Sequence, residues 1–378
     1  MLVGEKKNDV PPVFSATDFH DYIDDKISSI RPASSSAIAA AFKDHRGSEL
    51  LQFKEVTLEE VTSIIRSSPS KQCSFNPLPT WLLKDCVVVL ASFITKTMNI
   101  SLSLGCFPST WKYTIVSPLL KKVGLDESFP VNYRPVSNVP CLSKVLERIV
   151  HRQTTTYLLQ HQLFPDFQSA YRRCHSTETA VLKVFSDIID GIEKGNIALL
   201  CLLALTAAFD TVDHGIIKQR LTRSFGIKGR ALMWVDSYLT DRSQSVHLAG
   251  VTTNPRKILC EVPQGSVLGP LLFTLYTADI GLIIKAHELL HHCYADDTQL
   301  YLCGRPVECA GMKSRVLQCI DSIPGWMSSN RLKLNSSKSE FLWCATARCL
   351  HLVDKSVFRL EDRDVTPSTF VRNLGAFF

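Results

Sequence analysis

A chain of 378 residues is long enough for two or three structural units around a sizeable buried core. With 45% hydrophobic and 21% charged residues it reads as an ordinary globular protein. A formal net charge of +6 is far from a histone-like tail and raises a nucleic-acid partner only slightly. The first residues, MLVGEKKNDVPPVF, hold no apolar signal-peptide core, and the nearly uncharged run 197–209 is too short to span a bilayer. The 13 cysteines include no C-x-x-C pair and sit mostly in apolar segments, as in a reduced, intracellular chain with no membrane partner.

Residues 1–50 are weakly patterned and read as a loosely structured extension. Thr57 and Glu60 form a capping-box pattern ahead of a helix that should stop near Pro69. The stretch 80–104 reads as a longer buried helix closed by Gly105. Leu142, Val145, Leu146 and Ile149 share one helical face, as do Val181, Val184, Phe185 and Ile188. The period then changes: 197–205 is a continuous apolar run, as in a strand buried on both faces. Helices are predicted at about 214–224 and 229–239, strands at 244–251 and 256–262, and a turn at 263–266 feeding a helix through Leu271 to Ile280. A hairpin surrounds Asp296 and Asp297, a helix runs to about Met327, and "LKLN" and "EFLWC" read as strands. Helices first and a mixed sheet second argue an α+β fold.

The chemistry concentrates in "HCYADDTQLYL" (292–302). Two adjacent carboxylates at a tight turn repel one another, and apolar neighbours such as Tyr294, Leu300 and Tyr301 make an exposed turn an unsatisfying explanation. A divalent cation would offset the repulsion, and carboxylate, water and phosphate oxygens suit Mg²⁺. His291, His292 and Cys293 are no metal set, because strand neighbours point to opposite faces.

Five segments in this order carry a resemblance: "NYRPVSNVPCLSKVLERIV" (132–150), "FQSAYRRCHSTETAVLKV" (167–184), "AAFDTVDH" (207–214), "VPQGSVLGPLLFTLY" (262–276) and "YADDTQLY". Together they resemble the reverse transcriptase of LINE-type, non-LTR retrotransposons of the jockey and chicken-repeat branch. "SPSKQCSFNPLPTWLLKDC" and "GCFPSTWKYTIVSPLLKK" resemble that family's N-terminal extension.

The resemblance implies a right-hand polymerase fold: a helical extension over 51–113, then a reverse transcriptase domain over 114–378. Within it the fingers would cover 114–196 and the palm 197–378, ending before most of the thumb. Residues 1–50 are too few for the upstream endonuclease of complete elements. The implied activity is RNA-directed DNA polymerisation with Mg²⁺, or Mn²⁺ in its place, on an RNA template, a DNA primer and deoxynucleoside triphosphates.

Carried over by position, Asp296 and Asp297 are metal ligands. The third carboxylate of the pattern D-L-S-A-A-F-D falls on Ala204, so this copy is expected to be severely impaired or inactive. Phe209 falls at the gate under the sugar, and Gln264 and Gly265 at the nucleotide-binding turn. Lys121 and Arg134 fall where the fingers neutralise triphosphate. Lys338 falls where a lysine protonates leaving pyrophosphate, and His175 and Ser176 at a template-facing segment. Helix capping explains Ser176 equally well, and a surface charge explains Lys121 and Lys338. Cys174 and Asn76 depart from the glycine and aspartate of the pattern, and Cys174 is expected in a turn needing positive φ. The alternative is a catalytically silent nucleic-acid-binding or RNP remnant of a mobile element.

Overall fold

The computed structural model describes residues 13–31, 40–70, 79–206, 208–360 and 363–378; Asn76 lies outside them. Ala16–Ile30 forms a helix, α1, inside the stretch expected to be loosely structured. Ser15 and Asp18 cap it reciprocally, and Phe19 and Ile23 are buried. Its apolar face is interrupted by so many polar residues that composition hid it. Helix α2 (Leu58–Ser67) carries the expected Thr57–Glu60 box and ends before Pro69.

The expected helix over 80–104 breaks at Cys86 into α3 (Thr80–Asp85) and α4 (Val87–Leu104), with Gly105 closing α4 at φ 66°. It is not buried throughout: Ala91, Ile94 and Met98 face the core, while Val88, Val89 and Phe93 are exposed. By length and mean hydropathy α4 (1.6) and the mostly buried stretch Leu268–Ala286 (1.4) are each apolar enough to cross a membrane, a property the sequence reading assigned to no segment.

Strands β1 (Tyr113–Leu120) and β2 (Tyr133–Asn138) pair antiparallel with Pro118 opposite Pro135. Proline inside a segment normally argues against a strand. Two prolines facing each other must occupy a non-hydrogen-bonded pair, where neither is asked to donate. Then follow α5 (Cys141–Gln160), α6 (Thr177–Glu193), β3 (Ile197–Leu203), α7 (His214–Phe225) and α8 (Gly229–Leu239). The chain continues through β4 (Arg242–Leu248), β5 (Val251–Thr252), β6 (Arg256–Ile258), α9 (Leu268–Tyr276) and α10 (Ile280–Ala286). A hairpin of β7 (Leu290–Tyr294) and β8 (Asp297–Gly304) leads to α11 (Cys309–Ser329) and β9 (Glu340–Cys344). Two small hairpins close the described chain, β10 (Phe358–Leu360) with β11 (Arg363–Val365) and β12 (Arg372–Asn373) with β13 (Ala376–Phe377). "LKLN" is not a strand; Leu334 makes a single bridge to Leu205.

Helices and strands are thus mixed, but two sheets organise them. In the first, of order β2-β1-β4-β5 with β6 on β4, β4 runs parallel to β1. Residues 242–258, in the range expected to be palm, therefore belong to the sheet of the expected fingers. The second has order β7-β8-β3-β9 and is antiparallel throughout. Its central strand β3 explains the apolar run: Ala198 and Leu200 cluster with Val184 and Ile188 of α6, while Leu199 and Cys201 join the main core with Val316 and Ile320 of α11. With one helix over each face, every side chain of β3 needs to be apolar.

Candidate active site

Tyr294 pairs with Asp297, leaving Ala295 and Asp296 as a two-residue turn between β7 and β8. Ala295 has φ 56°, a left-handed conformation that costs an L-residue about 1–2 kcal/mol. Strand β8 returns along β3 in a register that sets Leu203 opposite Thr298. That pair is the last of the ladder; continued by one residue, the same register would bring Ala204 across from Asp297. Opposed residues of antiparallel strands share a face with their Cβ atoms about 5 Å apart. On that continuation a carboxylate at 204 would stand beside that of Asp297. The carbonyl of Ala204 accepts from the Asn335 N–H at 2.8 Å, which fixes the strand end against the loop carrying Lys338.

Two of the cations predicted from sequence, Lys338 and Arg134, act on these carboxylates. Desolvation pushes Asp296 up, against the pull of Lys338 and Arg134. Asp297 is pushed up to about 6, by desolvation and then by the charge of Asp296, with Lys338 opposing. Lys121 is pushed down by desolvation and by the charges of Lys26, Lys338 and Arg134, with Asp210 opposing. Its ammonium donates to the Val131 carbonyl at 2.6 Å. Arg134 of β2 and Lys338 of the single helical turn at 336–338 thus act on the carboxylate turn, and both cations act in turn on Lys121.

The acids nearest Ala204 in sequence are committed elsewhere. Asp210 pairs with Lys26 of α1 at 2.9 Å, and Asp213 caps α7 through the Gly215 and Ile216 N–H groups while pairing with Arg31 at 2.5 Å. Between them and Ala204 lies Phe209, partly exposed, its ring stacked 4.8 Å from that of Phe273. The Phe209 carbonyl accepts from the Val262 N–H, which ties it to the segment carrying Gln264 and Gly265. The Gln264 carbonyl accepts from the Ser137 N–H of β2 at 2.7 Å. Gly265 sits at φ 120°, and a Cβ there would lie 2.7 Å from the Ser137 carbonyl oxygen. Only glycine fits this turn.

His175 and Ser176 bond locally. Ser176 forms a reciprocal cap with Thr179 at the start of α6, and His175 Nδ1 lies 3.0 Å from the Arg173 carbonyl. Cys174 has φ 62°, so it occupies the left-handed turn that the sequence reading expected there. His291 packs against Gly281 and Phe167, whereas His292 bonds Ser169 at 2.8 Å. Among the described residues no three His, Cys, Asp or Glu side chains are grouped to hold a metal.

Sequence reasoning gave no role to Glu147. Its Oε2 accepts from the Val267 and Leu268 N–H groups (2.7 and 3.1 Å) and from the Tyr238 hydroxyl (3.4 Å), and its Oε1 accepts from Ser143 at 2.8 Å. A buried acid thus anchors the start of α9, immediately after the Gln264–Gly265 turn. The available signal was an acid set among Val145, Leu146, Ile149 and Val150 on the buried face of α5.

Glu261, next to this turn, is buried with Oε1 unpartnered and is pushed up to about 8, by desolvation and then by the charge of Asp210. A carboxyl group raised from 4.5 binds its proton more tightly in the folded state. The corresponding stability is complete below pH 4.5 and is lost as pH rises towards 8. Glu261→Gln should therefore stabilise the chain by about 3 kcal/mol at pH 7 and change little below pH 4.5. Denaturant unfolding across that range checks it; equal effects at both ends contradict it.

Residues 120–371 match the reverse transcriptase (RNA-dependent DNA polymerase) family. The chain is 28% identical to a probable RNA-directed DNA polymerase from transposon BS of Drosophila melanogaster, over 76% of this chain and 32% of that protein. It is 27% identical to the RNA-directed DNA polymerase from mobile element jockey of the same species, with the same coverage. To the jockey polymerase of Drosophila funebris it is 30% identical over 64% of this chain and 27% of that protein. The chain thus spans about a third of the length of the curated relatives it matches.

Proposed function

Because the chain belongs to the reverse transcriptase (RNA-dependent DNA polymerase) family, in its jockey-like LINE branch, we propose that it is the fingers and palm of an RNA-directed DNA polymerase with one metal-binding carboxylate missing. The observation that carries this reading is the register of β3 on β8, whose last pair, Leu203–Thr298, leaves Ala204 and Asp297 as the next residues at that end of the two strands. The fingers comprise 114–196 together with 242–258, and the palm is the β7-β8-β3-β9 sheet with its covering helices.

Asp296 and Asp297 are the residues that would hold a divalent ion, and their oxygen donors suit Mg²⁺ or Mn²⁺. Two adjacent carboxylates are an incomplete set for a pair of ions. When bound, such ions neutralise triphosphate oxygens and activate the primer 3′-hydroxyl. Lys121 and Arg134 meet the triphosphate of an incoming deoxynucleotide, and the backbone at Gln264 and Gly265 lies under it. Phe209 lies flat beneath the sugar and disfavours a 2′-hydroxyl. Lys338 is placed to give a proton to leaving pyrophosphate, and His175 and Ser176 border the RNA template. Every one of these groups except the residue at 204 is compatible with polymerisation.

Equilibrium binding of a deoxynucleoside triphosphate with Mn²⁺ tests the nucleotide site without needing catalysis. Arg134→Ala should weaken that binding by about tenfold or more, the value of one charged hydrogen bond. Unchanged affinity would place the triphosphate elsewhere.

A further inference from the structure

Gln168 belongs to the segment 167–171, which lies beside β7. A parallel bridge joins Gln168 to Cys293; the Cys293 N–H donates to the Phe167 carbonyl at 2.7 Å, and the Ser169 N–H donates to the Cys293 carbonyl at 3.0 Å. The side chain of Gln168 is buried and reaches past the end of the strand to the carboxylate turn. Its Oε1 accepts from the Ala295 N–H at 3.1 Å and from the Ala170 N–H at 3.0 Å. Its Nε2 donates to the Ala295 carbonyl at 3.4 Å. One amide therefore engages both backbone groups of the residue with positive φ that precedes Asp296.

A left-handed alanine persists only where its surroundings over-determine it, and such strain collects at functional sites. The bracing segment is itself held in this way, with Phe167 at φ 58° and Tyr171 at φ 60°. The Tyr294–Asp297 pairing closes the hairpin around the turn, and the two bonds to Ala295 fix the peptide inside it that bears Asp296; losing them frees that peptide to swing. We propose that Gln168 is a positioning residue: its amide locks the backbone of Ala295 and thereby sets where the Asp296 and Asp297 carboxylates stand. This rests on reading those two residues as the metal-holding pair.

Two variants test it in both the native chain and the Ala204→Asp chain. Gln168→Met keeps the length and removes all three bonds, whereas Gln168→Glu keeps both acceptor bonds and loses only the donated one. Free Mn²⁺ is followed by electron paramagnetic resonance. In the Ala204→Asp chain, kcat per active site and the deoxynucleotide KM are measured after burst titration. Gln168→Met should lower Mn²⁺ affinity about tenfold and kcat about 100-fold, the scale of an ångström of misplacement. The deoxynucleotide KM should stay within about twofold, and Gln168→Glu should recover about tenfold of the kcat loss.

A purely structural glutamine would lower the melting temperature and the number of active sites, leaving kcat per site and Mn²⁺ affinity unchanged; that result overturns the proposal. If the Ala204→Asp chain is silent, the polymerase reading fails, and the Mn²⁺ titration of the native chain still decides the role of Gln168. If no chain with Gln168 intact binds Mn²⁺, both readings fall.

Discussion

Ala204→Asp should raise magnesium-dependent extension of a DNA primer on an RNA template by at least about 1000-fold over the native chain, roughly 4 kcal/mol of barrier. The gain follows from where the new carboxylate would stand. Continued one residue past Leu203–Thr298, the register would put the aspartate on the face of Asp297 rather than in the core. No neighbouring acid duplicates it, because Asp210 is paired with Lys26 and Asp213 caps α7. A water in its place would bring neither negative charge nor fixed position. Adding Asp296→Ala to the restored chain should abolish the gain, which separates metal-dependent synthesis from contamination. If Ala204→Asp leaves synthesis at background while the chain stays folded, the reading of this site as a silenced polymerase fails.

Glu147→Ala should destabilise the chain by about 3–5 kcal/mol, measured by denaturant unfolding at neutral pH. The substitution strands the Val267 and Leu268 N–H groups and the Ser143 and Tyr238 hydroxyls around a cavity. It also frees the start of α9, so the Gln264–Gly265 turn loses its support on one side and deoxynucleotide binding should fall with stability. Glu147→Gln, which keeps the shape and one acceptor oxygen, should be clearly less damaging than Ala. A loss below about 1 kcal/mol for Glu147→Ala would show that water replaces the carboxylate and that the anchor is dispensable.

The order in which these features could be read follows the range of the interactions involved. The Thr57 box, the helical faces of α5 and α6, and the YADD hairpin are local signals and were legible. The apolar run of β3 was legible because a central strand covered by helices on both sides has no polar face. Strands β1 and β2 were not, because Pro118 and Pro135 argue against a strand until each is seen to face the other. The parallel pairing of β4 with β1 joins residues more than 120 positions apart, and no local pattern encodes it. Helix α1 was hidden by its acidic and basic residues, several of which are committed to ion pairs with Asp210 and Arg256.

The site shows the same division. Residue types at motif positions named Asp296, Asp297, Lys121, Arg134 and Lys338, and in the fold the charges of Lys338 and Arg134 reach both Asp296 and Lys121. Glu147 and Gln168 stood inside quoted motifs but act on backbone groups 120 and 127 residues away, which only the folded chain reveals. Gly265 was read as allowing close approach; the fold supplies the partner, the Ser137 carbonyl of β2.

We propose a polymerase site silenced by one missing carboxylate. Primer extension on an RNA template with Mg²⁺ and deoxynucleotides, comparing the native chain with Asp296→Ala, tests it most directly. The account predicts no synthesis by either chain above background. Magnesium-dependent synthesis by the native chain that disappears in Asp296→Ala would contradict it, and would mean that another group completes the metal site without a carboxylate at position 204.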